Sequence, residues 1–278
     1  MSKSATKQSE DADTNPPGKD EKLPPLSARE EWTEFGKTAV IAILLALIIR
    51  ALLFEPFNIP SGSMKPNLLV GDYLFVNKPA YGYSRYSFPF GLAPIRDRVW
   101  AAEPQRGDVI VFKLPTNPSI DYIKRIVAMP GETVQVINGR LHINNVPVER
   151  EQNGLQRIRA RDGFTTVMEY TETLPGGVSF SIYEEGDQFP LDDTPPFIVP
   201  VGHYFVMGDN RDNSQDSRVQ SLVGFVPFRN IVGRADFLFF SIEEGETVLA
   251  FWKWPWTIRF DRLFDDIDPV RPQADDVP

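Results

Sequence analysis

The residues from Phe35 to Phe54, Phe-Gly-Lys-Thr-Ala-Val-Ile-Ala-Ile-Leu-Leu-Ala-Leu-Ile-Ile-Arg-Ala-Leu-Leu-Phe, form the one strongly apolar segment of this chain. As a helix rising 1.5 Å per residue they reach about 30 Å, the thickness of the hydrocarbon core of a bilayer. Lys37 and Arg50 fall near the two ends, where long cationic side chains can extend to the headgroups. A buried core helix is the alternative, because the two charges shorten the uncharged run. A cleaved secretory signal fits less well, since an acidic leader precedes the run and Phe54-Glu55-Pro56-Phe57 offers no small-residue cleavage site. The expectation is a single transmembrane helix over residues 35–54 that stays attached to the rest of the chain. Flanking charge leaves its orientation open, with Lys22, Arg29 and Lys37 on one side and Arg50, Lys65 and Lys78 on the other.

Residues 1–30 carry Lys, Glu, Asp, Ser and Pro with almost nothing large and apolar, so a disordered tail is expected there. Beyond the apolar run the pattern changes. Short β-rich segments recur at Tyr73–Val76, Asp108–Phe112, Thr133–Ile137, Tyr204–Met207 and Asp236–Phe240, punctuated by Gly and Pro. With 19 Gly, 25 Pro and no second amphipathic helix, the fold class is mainly β. An antiparallel β catalytic domain is expected over 56–138 and 201–250. Asn138-Gly139 and Asn144-Asn145 read as hairpin turns opening a polar stretch, an inserted β subdomain over 139–200. In the 251–278 tail, Trp252, Trp254, Trp256, Ile258 and Phe260 alternate as a strand would, and that stripe is expected either to contact lipid at the interface or to be a plain strand burying its aromatic face.

Charge and composition remove several function classes. A net charge of -9 excludes a nucleic-acid partner, because phosphate binding needs a basic face. The absence of cysteine excludes disulfides and thiolate metal sites. The loop Asp209-Asn210-Arg211-Asp212-Asn213-Ser214 is rich in oxygen ligands, yet it lacks the sixth-position glycine of a calcium loop and carries an arginine, so no metal and no cofactor is expected.

The chemistry concentrates in three places. Pro60-Ser61-Gly62-Ser63-Met64-Lys65-Pro66 has the small, turn-prone composition that exposes a hydroxyl and presents backbone N–H groups to a developing oxyanion. It follows Phe54 by at most about 30 Å of extended chain, so Ser63 would work at the membrane surface. Histidine, the usual partner of a nucleophilic serine, occurs only as His142 and His203, which points to another base. In Tyr122-Ile123-Lys124-Arg125-Ile126-Val127, strand alternation sends Lys124 and Arg125 to opposite faces, with Tyr122 and Ile126 beside the lysine. Burial disfavours an ammonium, and a lysine lowered by a few pKa units can act as a base. Arg125 stays charged and is the structural partner. The strand-to-loop segment Gly202–Arg218 is dense in acceptors that can orient a lysine and pair Arg125.

Taken in order, these segments resemble the conserved boxes of bacterial type I signal peptidases, the membrane-bound leader peptidases. The resemblance rests on Ser61-Gly62-Ser63-Met64-Lys65-Pro66, Arg106-Gly107-Asp108-Val109-Ile110-Val111-Phe112, Tyr122-Ile123-Lys124-Arg125 with Pro130-Gly131, and Gly208-Asp209-Asn210-Arg211-Asp212-Asn213-Ser214 through Asp216-Ser217-Arg218. It implies Ser63 as nucleophile, Lys124 as general base, Ser61 with Ser63 at the oxyanion hole and Ser214 orienting the lysine. Arg125, Asp209, Asp216 and Arg218 fall on the family's structural ion-pair positions. The family implies removal of signal peptides from exported preproteins after small residues in an Ala-x-Ala pattern, at the outer, periplasmic face of the cytoplasmic membrane. Some members carry two spans, where this sequence shows one apolar segment. The alternatives are a Ser/Lys peptidase maturing one dedicated envelope substrate, and a non-enzymatic membrane-tethered β adaptor.

Overall fold

The computed structural model describes residues 27–88, 91, 93–160, 163–267 and 269–271. Most of the expected tail at 1–30 lies outside the described residues, and its last part is helical. Helix α1 runs Ala28–Leu52, longer at its start and shorter at its end than 35–54. Its first turns are polar, joined by an ion pair between Lys37 and Glu34 at 2.8 Å. Within Glu31–Leu52 an 18-residue window has a mean hydropathy of 2.1, and none of that window is buried inside the protein. The helix stops where other groups claim its last carbonyls: Lys78 Nζ donates to Arg50 O (2.9 Å) and Tyr83 Oη to Leu52 O (2.7 Å). Pro56 then forbids further helix and suits only an outer strand.

That outer strand is β1 (Phe54–Asn58), followed by β2 (Asp72–Asn77), β3 (Val109–Leu114) and β4 (Asn117–Ala128). Next come β5 (Thr133–Ile137), β6 (Arg140–Ile143), β7 (Val146–Pro147), β8 (Glu149–Ala160), β9 (Gly163–Leu174) and β10 (Val178–Glu184). The chain closes with β11 (Phe197–Ile198), β12 (His203–Met207), β13 (Val226–Pro227) and β14 (Ile231–Ser241). Seven of them form an antiparallel sheet in the order β1-β2-β14-β3-β4-β12-β13. Strand β3, in its middle, carries a continuous apolar run because both faces are covered: Val109, Ile110, Val111 and Phe112 are all buried.

Two smaller sheets, β11-β5-β6-β7 and β10-β9-β8, lie in the middle of the chain. The turn residues Asn138, Gly139, Asn144 and Asn145 all have positive φ, as tight hairpins joining β5 to β6 and β6 to β7 require. β5 pairs with β6 and β11, so the smaller sheets begin at Thr133 and not at position 139. Nor are they a detached subdomain. One core joins Val127 and Ala128 of β4 and Phe205 of β12 to Val134, Leu141, Phe180 and Ile182, and everything from Ala46 onward forms one compact unit. In the long β8–β9 hairpin β8 is mostly exposed, and the far end of the hairpin meets the Pro60–Pro66 segment, where Lys65 Nζ donates to Arg159 O (3.0 Å).

The aromatic tail departs from the period-two expectation. Phe251–Lys253 is a 3₁₀ turn and α2 spans Trp254–Thr257, because Pro255 sits in a first helical turn, where its missing N–H costs nothing. Trp254 packs on Phe240 at 5.5 Å and donates Nε1–H to Val248 O (3.0 Å), while Trp252 and Trp256 stay exposed. The stripe therefore divides between protein and solvent instead of lining one strand face.

Candidate active site

A short 3₁₀ turn, Gly62–Met64, carries Ser63 at the mouth of the sheet. Its backbone is strapped from below by Asn210, whose N–H donates to Ser63 O (3.1 Å) and whose Nδ2 donates to Gly62 O (3.1 Å). Gly208 makes this approach possible. A Cβ there would fall 2.5 Å from Ser63 O and 2.3 Å from Ser214 Oγ, so any side chain would force the turn away.

From β4 comes Lys124, only 3% exposed, with Nζ 2.7 Å from Ser63 Oγ and 2.7 Å from Ile123 O. Its neighbours are apolar: Ile126 is fully buried, and the Tyr122 ring centre lies 5.5 Å from Nζ. Burial disfavours the ammonium and pushes Lys124 down to about 8, opposed by the carboxylates of Asp216 and Asp209 and reinforced by Arg218. An amine so placed loses its proton far more readily than a solvated lysine.

Arg125 is buried as well. Its Nε and Nη2 grip the Asp209 carboxylate at 2.9 and 2.8 Å, its Nη1 donates to Gly107 O (2.8 Å), and Phe180 stacks on it at 4.2 Å. Arg218 grips Asp216 in the same two-pronged way, at 2.9 Å for both bonds. Burial raises the Asp216 carboxyl, but Arg218, the Gly208 N–H and Ser214 outweigh it and hold the group below the usual carboxylate range. The two pairs fix both ends of the loop that carries Gly208 and Asn210.

Ser61 Oγ lies 3.4 Å from Ser63 Oγ, close enough to share its surroundings. Ser214 lines the same cleft, yet the amine of Lys124 takes Ile123 O as its second partner and not the Ser214 hydroxyl. Neither His142 nor His203 lines the cleft; each ring Nδ1 faces a backbone carbonyl, of Arg140 and Val201 respectively.

Sequence reasoning missed several contributors. Asn210 and Arg211 stood inside the acceptor-rich loop without a role. Arg211 forms a fully buried pair with Glu172 of β9, Nη1 to Oε2 at 2.9 Å, and Glu172 carried no signal at all, since its partner is 39 positions away. Asn67, whose Nδ2 donates to Asp209 Oδ2 (2.7 Å), was equally silent.

The family model described as signal peptidase, peptidase S26, matches residues 32–240, which include every residue just described. The chain belongs to the signal peptidase family. Among its relatives, the signal peptidase I of Rickettsia conorii is 38% identical over 258 residues, covering 87% of this chain and 94% of that protein. The signal peptidase I of Rickettsia prowazekii is 39% identical over 251 residues, covering 84% and 93%. A crystal structure of a signal peptidase I from Enterococcus faecalis aligns with 29% identity over 48% of this chain and 97% of its own, with a TM-score of 0.29. The cleft beside Ser63 has a volume of about 750 Å³. The aromatic tail beyond residue 240 lies outside the family match.

Proposed function

We propose that this signal peptidase is a membrane-anchored serine endopeptidase that works through a Ser63/Lys124 dyad and an acyl-enzyme. The observation that carries the reading is the 2.7 Å separation of Lys124 Nζ from Ser63 Oγ inside a buried site. The neutral amine takes the Ser63 proton as Oγ bonds to the scissile carbonyl carbon. The first N–H groups of the Gly62–Met64 turn and the Ser61 hydroxyl face the resulting oxyanion. Collapse breaks the C–N bond, the Lys124 ammonium protonates the departing amine, and an ester remains on Ser63. A water then gives a proton to the same lysine as its oxygen bonds to the acyl carbon; the ester C–Oγ bond breaks, Lys124 returns the proton to Ser63 Oγ, and the signal peptide leaves with its new carboxyl group.

Ser214 fits a supporting place on the cleft wall. Arg125, Asp209, Asp216 and Arg218 hold geometry and take no part in proton transfer. The substrate binds as an added strand. Residues Tyr122–Lys124 of β4 pair with β3 on one side, whereas β12 joins the other side only from Arg125 onward, which leaves a backbone edge open beside Ser63. Small side chains before the cut, in an Ala-x-Ala pattern, suit shallow pockets along such an edge. Helix α1, apolar and unburied, spans the cytoplasmic membrane with the catalytic unit on its periplasmic face, and exposed Trp252 and Trp256 rest in the headgroup region.

The test is incubation of the purified full chain in detergent with a synthetic preprotein segment ending its signal in Ala-x-Ala. Mass spectrometry is expected to find one cut, directly after the second Ala, with Ser63→Ala leaving the segment intact. A segment left intact by both proteins would favour the adaptor reading, whereas equal cutting by both would remove Ser63 as the nucleophile.

A further inference from the structure

One wall of the Ser63 cleft comes from a segment to which neither the family motifs nor the dyad gives a role. Phe189, Pro190 and Leu191, in the connection between β10 and β11, line the cleft together with Tyr122–Lys124 of β4. Phe189 is 42% exposed, a large apolar surface turned to the opening. The segment is held in shape from two sides. Asp192 Oδ2 accepts from Phe189 N (2.6 Å) and Asp192 N donates back to Phe189 O (3.1 Å), closing a tight turn. Asp212, three positions from Gly208-Asp209, accepts from Glu185 N (2.6 Å) and so ties the same segment to the loop behind Ser63. The wall is thus prearranged with the catalytic residues.

A second cavity of about 860 Å³ indicates which part of a substrate meets this wall. It shares Phe57 and Asp121 with the Ser63 cleft and extends to Leu47 and Arg50, the last turns of α1. Under the proposed function a signal segment shares the bilayer with α1, which directs it to Ser63 from that end. Phe189, Pro190 and Leu191 line only the Ser63 cleft. We infer that Phe189 and Leu191 form an apolar subsite for the first residues of the mature chain, those just after the scissile bond, and that this subsite selects among preproteins. The inference rests on the proposed function and adds a determinant on the far side of the cut.

The test uses the full chain in detergent and synthetic peptides that share one signal segment ending in Ala-x-Ala. Each of the three positions after the cut is varied in turn to Leu, Phe, Ser or Glu. At one of these positions wild type should prefer Leu or Phe over Ser or Glu by about 10-fold in kcat/KM, the discrimination one matched apolar side chain gives. The Phe189→Ser, Leu191→Ser double variant should level that preference to within about 2-fold. Phe189→Leu should retain it, and the requirement for Ala before the cut should stay unchanged in all variants, which also reports a folded site. If the double variant does not fold, Leu191→Ser alone should lower the preference. A preference that survives the substitutions, is absent from wild type, or moves to residues before the cut overturns the subsite. A wild-type chain that cuts none of the peptides overturns the proposed function instead.

Discussion

Lys124→Arg is expected to abolish preprotein cleavage although the positive charge is retained. A guanidinium keeps its proton at any pH an enzyme survives, so it cannot accept one from Ser63. Loss of a general base costs on the order of 10²–10⁴-fold, and residues acting as one unit lose nearly everything together, so kcat/KM should fall by at least about 10⁴-fold. Lys124→Met, close in shape and without the amine, should do the same while leaving the thermal midpoint close to that of wild type. An uncharged thioether suits a site that is only 3% exposed. The measurement is cleavage of a signal-sequence substrate over hours at matched protein concentration. Activity above about 1% of wild type in Lys124→Arg would remove this lysine from proton transfer.

The second large effect is on stability. Asp209→Ala leaves Arg125, 1% exposed, without the carboxylate that takes two of its donors, and leaves Asn67 Nδ2 with only one of its two acceptors, Ser181 O. Removing one partner of a buried ion pair costs about 3–5 kcal/mol, because the remaining charge cannot reach water. For a unit of this size each kcal/mol moves the thermal midpoint by about 2–4 °C, so unfolding should occur roughly 6–20 °C lower. Cleavage per folded molecule, measured well below that midpoint, should fall far less than in Lys124→Arg. An unchanged midpoint with activity lost entirely would mean that Asp209 acts on the chemistry directly.

The contrast between these variants also shows where a one-dimensional reading succeeds. The central strands were legible because both faces are covered: runs such as Val109–Phe112 and Tyr204–Met207 are apolar without interruption. Turn chemistry was legible at Asn138-Gly139, where positive φ favours those residues. Ser63 and Lys124, 61 positions apart, each stood out locally, by turn composition and by strand alternation beside apolar residues, and the fold brings the amine to the hydroxyl. Strand β8 was not singled out within the β structure expected over 139–200, because it pairs with β9 through mostly exposed polar side chains, which leave no periodic apolar signal. The Trp252–Phe260 alternation suggested a strand, yet Pro255 and the packing of Trp254 on Phe240 favour a short helix. Glu172 could not be found at all: one acidic residue in a polar strand gives no hint of a buried arginine across the fold.

The dependence of kcat/KM on pH tests the central claim most directly. The ammonium of Lys124 is inactive as a base and burial lowers it to about 8, so activity must be low in acid and grow as the amine loses its proton. Cleavage of a substrate without ionisable groups near the cut should rise about tenfold per pH unit below that point and level off above it. A rate constant flat from pH 6 to 10, or one that begins to rise only where ordinary lysines titrate, would contradict a neutral amine acting on Ser63.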